Sequence, residues 1–328
     1  MSLKILRIGD PHIRPNNIVE SDLLMSFALQ TAVNAKVNRL EILGDLFHTH
    51  SVIRLEVLEF WDKWLQVFRD KVHTIVLVGN HDQTGDYNKS SSHSLTVFKR
   101  LQNENLRIID APTQIGVFGY LPYIHGESEF NDAAQNLFDS GAKILVCHTE
   151  FSGSQYDNGF YSPHGFNPDN IPFDTIISGH IHKEQIIAGG KVDYPGTPKW
   201  DTASDVNEQK GIWLYEHDDS GKVINRDRIS TAHVCTPIIS FTWLEGQEQP
   251  VIPEGSRATV ELIGSSDWIS KQKAILKGKV GIKSKTTDQK RKSERKAGNS
   301  LENYLLNMYD TRMDRTVLIQ LAKEIGIV

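Results

Sequence analysis

Five apolar runs in this 328-residue chain stop on the same kinds of residue. "RIGDPH" ends in Asp10 and His12, and "ILGDLFH" in Asp45 and His48. "LVGNHD" ends in Asn80, His81 and Asp82, "VCHTE" carries His148, and "ISGHIH" ends in His180 and His182. Each run has the length and the Ile/Leu/Val content of a buried strand. One His or Asp at a strand end is commonly a cap or a satisfied polar residue, and Asp45 and Asp82 taken singly serve as well for helix N-caps. Five in succession are hard to attribute to caps. In α/β sheets the carboxyl ends of the strands form the ligand-binding edge. The pattern therefore predicts one crevice lined by carboxylates, an amide and imidazoles.

The segments between these runs agree. "DLLMSFALQTAVNAK", with Ser21 as its expected N-cap, and "RLEVLEFWDKWLQVFRD" have apolar residues at helical spacing. They alternate with the first three strands as βαβαβ, which implies parallel strands covered by helices. Beyond residue 105 the chain is strand-rich, with one helix expected over "SEFNDAAQNLFDSG" and a long polar, aromatic stretch, "SGSQYDNGFYSPHGFNPDNIPF", read as a functional loop. The expected fold class is α/β: two mixed sheets flanked by helices, four layers in all, followed by a small α+β capping domain and C-terminal helices. The expected boundaries are 1–235 for the main domain, 236–280 for the cap, 281–299 for a basic linker and 300–328 for a helical segment.

Composition narrows the setting. No apolar run approaches the ~20 residues of a membrane span. The chain begins directly in strand-like sequence, so no signal peptide is expected. Cys147 and Cys235 make no disulfide framework, and a reducing cytoplasm, or a host cytoplasm for a viral chain, is the expected location. The net charge of −5 is uneven: Lys271–Lys296 holds eleven Lys/Arg against Asp288 and Glu294, which leaves −14 on the rest. That basic run reads either as a solvated linker or as a contact for a polyanion.

The ligand set is nitrogen and oxygen with no thiolate, which suits Mn²⁺, Fe²⁺ or Zn²⁺ at a reactive centre better than structural zinc. Its donors exceed what one ion needs, whereas two ions about 3.5–4 Å apart, sharing a carboxylate, use them all. The glycines before Asp45, Asn80 and His180 suit tight backbone turns beside such ions. His73, Glu150, His164 and His217 lack this support and are expected at the surface or in loops.

The ordered motifs "DPH", "GDLFH", "GNHD", "CH" and "GHIH" resemble the calcineurin-like metallophosphoesterase superfamily over about residues 3–235. Within it the second motif resembles the SbcD-type nuclease subunits of double-strand-break repair, and lacks the "GDxxDRG" of the protein phosphatases. The resemblance implies a role for each residue. Asp10, His12 and His182 hold one ion, Asn80, His148 and His180 the other, and Asp45 bridges them. His81 is the non-ligand histidine at the leaving oxygen, Asp82 orients it, and His48 touches the substrate phosphate or a ligand.

It also implies two Mn²⁺ ions, exonuclease and single-strand endonuclease action on DNA, a homodimer, and an SbcC-like SMC-type ATPase partner docked on the C-terminal helices. No membrane partner is expected. Two other readings stand beside this one: a phosphoesterase acting on a nucleotide or phosphoprotein, and a non-catalytic scaffold on the same fold. The scaffold has no use for a complete ligand set, and a small-molecule esterase has no use for a basic linker and terminal helices.

Overall fold

A computed structural model describes residues 2–50, 52–84 and 92–288. The helical segment expected at 300–328 and residues 289–299 of the expected linker lie outside the described residues. The chain divides into two compact units, Met1–Phe241 with Gln249–Val260, and Thr242–Glu248 with Glu261 onward.

The first unit contains two six-stranded mixed sheets. One has the order β12-β11-β1-β2-β3-β4. Its strands β1 (Leu3–Ile8), β2 (Arg39–Ile42), β3 (Thr74–Leu77) and β4 (Leu106–Ile109) are parallel. The hairpin β11 (Gly211–His217) and β12 (Val223–Ser230) joins β1 antiparallel. The other sheet has the order β5-β6-β7-β8-β10-β9. Here β6 (Phe118–Leu121), β7 (Ile144–His148), β8 (Ile176–Gly179) and β10 (Val192–Tyr194) run parallel. The edge strands β5 (Thr113–Ile115) and β9 (Gln185–Ile187) are antiparallel to them.

Strand alternation explains how the sheets stack. Along β1 to β3, Leu6, Ile8, Leu40, Ile42, Val76 and Val78 enter a core shared with α1 (Ile18–Asn34) and α2 (Leu55–Lys71). Their odd-numbered neighbours Ile5, Leu43, Ile75 and Leu77 enter a second core, which also takes Phe118, Tyr120, Ile144, Val146 and Ile177 from the other sheet. On that sheet Leu145, Cys147 and Ile176 enter a third core with Phe130, Ala134 and Leu137 of α3 (Glu127–Asp139). Side chains of period two thus fill both faces of each sheet, and three cores separate four layers: helices, sheet, sheet, helix.

The middle core is not wholly apolar. Arg7 and Glu41 are fully buried there, with Arg7 Nε 2.7 Å from Glu41 Oε2 and Arg39 Nε 2.7 Å from Glu41 Oε1. The Tyr120 hydroxyl also donates to Glu41. Burial opposes ionisation of Glu41, but the two guanidiniums outweigh it and hold the carboxyl down at about 2. His217, expected near the surface, is fully buried in this layer, with Nε2 3.0 Å from Arg7 Nη1 and Nδ1 2.8 Å from the Gly221 carbonyl.

Two further expectations change. Ser21 does not cap α1: a 3-10 turn at Pro15–Asn17 leads straight into the helix, so Asn17 takes the cap position and Ser21 is buried one turn inside. The small C-terminal sheet, order β13-β14-β15, does not stop at residue 280. It consists of β13 (Ile238–Leu244), β14 (Arg257–Gly264) and β15 (Gly281–Thr286), with α4 (Ser266–Leu276) between the last two. The expected linker therefore starts as an edge strand. Lys283 and Lys285 lie exposed on it, and lysine on an edge strand opposes pairing with other chains.

Candidate metal centre

The parallel strands β1, β2 and β3 of one sheet and β7 and β8 of the other release their carboxyl ends at one place. Three backbone bonds stitch the first two loops there: Leu43 N–H to the Ile8 carbonyl, His12 N–H to the Asp45 carbonyl and Ile13 N–H to the Leu46 carbonyl, each 3.0 Å. From the helical layer, the Trp61 indole on α2 donates to the Leu46 carbonyl at 3.1 Å, just past Asp45. His12, Asp45 and His180 have φ of 44°, 51° and 81°, a left-handed conformation that costs L-residues energy and is concentrated at functional sites.

All seven expected ligands meet at this point. His12 Nε2 is 2.9 Å from His182 Nε2, and Asp10, His12 and His182 form one group able to hold an ion. His148 Nε2 and His180 Nδ1 face Asn80 Oδ1 at 2.9 and 2.8 Å, and Asp45, His148 and His180 form a second group. Asp45 divides its carboxylate between the two: Oδ2 is 3.5 Å from His12 Nε2, and Oδ1 is 3.3 Å from His148 Nε2. His148 is fixed by Nδ1, 2.7 Å from the Leu43 carbonyl, so its Nε2 is the nitrogen left for a cation.

The electrostatics call for a cation. Asp10 is buried and its Oδ1 has no hydrogen-bond partner. Burial, and then the neighbouring Asp45 charge, push its carboxyl up to about 8, although His148 opposes this. Burial would depress His148, yet Asp45 and Asp10 raise it to about 10. Asp45 stays well below the usual carboxylate range because His148 and His12 offset its desolvation. Carboxylates gathered this closely are balanced by protons unless a metal ion supplies the charge. Carboxylate, imidazole and amide donors with one unpartnered carboxylate oxygen fit a divalent ion.

His81 sits beside the ligands, its ring centroid 4.7 Å from that of His12 and 4.2 Å from that of His50. Its orientation differs from expectation. Its Nδ1 is 2.7 Å from the His48 carbonyl, and Asp82 does not hold it. Asp82 instead accepts from the backbone N–H of Phe47 and Gly79, at 3.1 and 2.9 Å, and so braces the two loops that carry Asp45 and Asn80. Burial lowers the His81 pKa, against the opposing pull of Asp45 and the His48 carbonyl. His48 lies at the rim, with its Nε2 3.4 Å from Arg14 Nη1 and its ring 5.5 Å from that of His12.

Four residues near the centre were not anticipated for it. His50 stacks on His81 and places Nδ1 2.9 Å from the Asn80 carbonyl. Tyr123 lies parallel to His180 at 6.0 Å. Glu150 and Asp157, from the long loop after β7, approach His180 and His182. His50 comes two residues after His48, and Glu150 two residues after His148, the local signals available. The others come from irregular sequence.

This architecture can be set against known proteins. Over 228 residues the chain is 28% identical to Exonuclease subunit 1 of Enterobacteria phage T4, a match covering 65% of each protein, slightly under two thirds of the phage protein's length. It is 31% identical over 203 residues to Putative phosphoesterase 244L of Invertebrate iridescent virus 6, covering 59% of this chain and 69% of that protein. Among solved structures it is similar to the TT1561 protein of Thermus thermophilus, with a TM-score of 0.43 and 12% identity over 70% of this chain and 99% of that one. The calcineurin-like phosphoesterase pattern matches residues 3–184, the stretch that carries every ligand described above. The chain therefore belongs to the calcineurin-like phosphoesterase family.

Proposed function

We propose that the chain is a DNA nuclease that hydrolyses phosphodiesters with two divalent ions, Mn²⁺ by expectation, and serves as the nuclease subunit of an SbcCD-like complex. The observation that carries the reading is the divided Asp45 carboxylate, with one oxygen toward each group of ligands. Asp10, His12 and His182 would hold one ion, and Asn80, His148 and His180 the other. Such a pair polarises the phosphate, offsets the charge that develops on it and acidifies water.

The chain's own residues do the rest. The His81 Nδ1–H is committed to the His48 carbonyl, so Nε2 is the atom free to give a proton to a departing sugar oxygen. His50, stacked on that ring, restricts its rotation. Arg14 at the rim is held by Asp201 through Nη2 and donates from Nη1 to His48 Nε2, which sets a guanidinium charge where a substrate phosphate would approach. Similarity to a protein named as an exonuclease subunit supports a nucleic acid as the substrate. The ATPase partner and its docking segment remain part of this proposal, as does a homodimer. The likeness to a putative viral phosphoesterase favours a second reading, action on a smaller phosphate ester.

The test compares wild type with His81→Ala, supplied with Mn²⁺, on single-stranded DNA, double-stranded DNA and p-nitrophenyl phosphate esters. The proposal expects DNA cleavage by wild type and a loss of roughly 10²–10⁴-fold in the variant, with bound metal unchanged. Cleavage of the small ester alone, even with the ATPase added, would favour the second reading.

A further inference from the structure

The two histidines of "GHIH" have their second ring nitrogens facing carboxylates that no motif announces. His180 puts Nδ1 toward Asn80 and the ligand cluster, and its Nε2 lies 3.6 Å from Glu150 Oε2. His182 is turned the other way: Nε2 faces His12, and Nδ1 lies 3.7 Å from Asp157 Oδ2. Both carboxylates come from the loop after β7. We propose that Glu150 and Asp157 are positioning residues, one for each ion: Glu150 orients His180 at the Asn80/His148 site, and Asp157 orients His182 at the Asp10/His12 site. The inference rests on the two-ion reading above.

The loop is built to hold both groups in place. The Tyr156 hydroxyl donates to Glu150. Gln155 N–H donates to Gln185 Oε1 at 2.8 Å, and Gln185 Nε2 returns a bond to the Gln155 carbonyl at 2.7 Å, which ties the residues between the two carboxylates to β9. His182 is held from the backbone side as well: its carbonyl accepts from Thr197 N–H at 2.9 Å and from the buried Lys210 ammonium at 3.1 Å. Asp157 Oδ1 is buried without a hydrogen-bond partner, so its bonding capacity is not taken up elsewhere. At 3.6–3.7 Å neither contact is yet a hydrogen bond. With an ion at the inner nitrogen, the outer N–H would be a stronger donor toward the carboxylate that already faces it. A carboxylate behind an imidazole ligand fixes its tautomer and ring plane and strengthens it as a donor.

The test is calorimetric Mn²⁺ titration of the full chain, with steps assigned by His180→Ala and His182→Ala. Glu150→Gln should weaken the His180-dependent step roughly 10- to 100-fold and leave the other unchanged. Asp157→Asn should do the converse. In double variants, Asp157→Asn should add little to His182→Ala but its full effect to His180→Ala. A carboxylate that only stabilises the loop, or only contributes charge, would weaken both steps together. That outcome, or no change in either step, overturns the proposal. If unfolding midpoints fall in these variants, Glu150→Asp and Asp157→Glu decide: each keeps the carboxylate and should regain Mn²⁺ affinity at its own step, and failure to regain it there overturns the proposal. A wild type that binds no more than one ion refutes the two-ion reading and this proposal with it. Two wild-type steps with unaffected variants refute this proposal alone.

Discussion

Gly179, the last residue of β8, lies against the Leu43 carbonyl of the other sheet, and replacing it with alanine measures how finely the centre is spaced. A β-carbon there would sit 2.5 Å from the Leu43 carbonyl oxygen, 2.6 Å from Asp10 Oδ1 and 2.7 Å from His148 Nδ1. Ordinary contact begins near 3.4 Å, so these neighbours must retreat by ~0.7–0.9 Å. They belong to both sheets and to both groups of ligands, and two of them, the Leu43 carbonyl oxygen and His148 Nδ1, are the ends of the bond that fixes His148. Overpacking of this kind costs roughly 1–3 kcal/mol of stability. A displacement near 1 Å at a reacting centre costs on the order of 100-fold in rate. Gly179→Ala should therefore lower the urea midpoint and reduce Mn²⁺ affinity and phosphodiesterase turnover by at least tenfold. The control is Gly189→Ala, where φ is +66° and nothing lies within 4 Å. It should lose about 1 kcal/mol to backbone strain and leave metal binding intact. If Gly179→Ala binds Mn²⁺ within twofold of wild type, the gap between the sheets does not set the geometry of the site and the reasoning fails.

Other outcomes are expected from the same structure. Glu41 has its carboxyl depressed to about 2 from an ordinary value near 4.5, so its contribution is complete above 4.5 and disappears as pH falls toward 2. Wild type should lose about 3 kcal/mol across that window; Glu41→Gln should be about 3–5 kcal/mol less stable at pH 7, with a shallower acid limb in urea titrations. Chelation should lower the unfolding temperature, and Mn²⁺ at a hundred times its dissociation constant should restore about 2.7 kcal/mol for each ion bound. Because burial raises Asp10 to about 8, Mn²⁺ affinity should rise with pH up to that region as the competing proton leaves, which titrations between pH 6 and 8 will read. Trp61→Phe removes the indole bond to the Leu46 carbonyl and should cost about 1 kcal/mol, with faster amide exchange in the loop that bears Asp45 than in the rest of the first sheet.

The strands and the residues that meet at their ends were legible in the sequence, because both signals are local. A strand buried on both faces is a short apolar run, and the residue after it stands at its carboxyl end whatever the rest of the chain does. Parallel order then gathers such ends within each sheet, Asp10, Asp45 and Asn80 in one and His148 and His180 in the other. The consequences of strand pairing and of one sheet lying on another were not legible. His217 is buried because Arg7, 210 residues away in sequence, lies beside it in the same sheet and the Phe118 ring of the other sheet covers it. Asp82 braces backbone because the Phe47 N–H arrives beside it, and His81 turns to the His48 carbonyl for the same reason. Glu150 and Asp157 sit in a loop with no period, 30 and 25 residues before the histidines they face. Their partners depend on where that loop is tied down. Sequence carries the donors and their order along the strands; which nitrogen of each histidine faces inward, and what stands behind it, is decided only when the layers close, because those distances belong to pairs of atoms far apart in the chain.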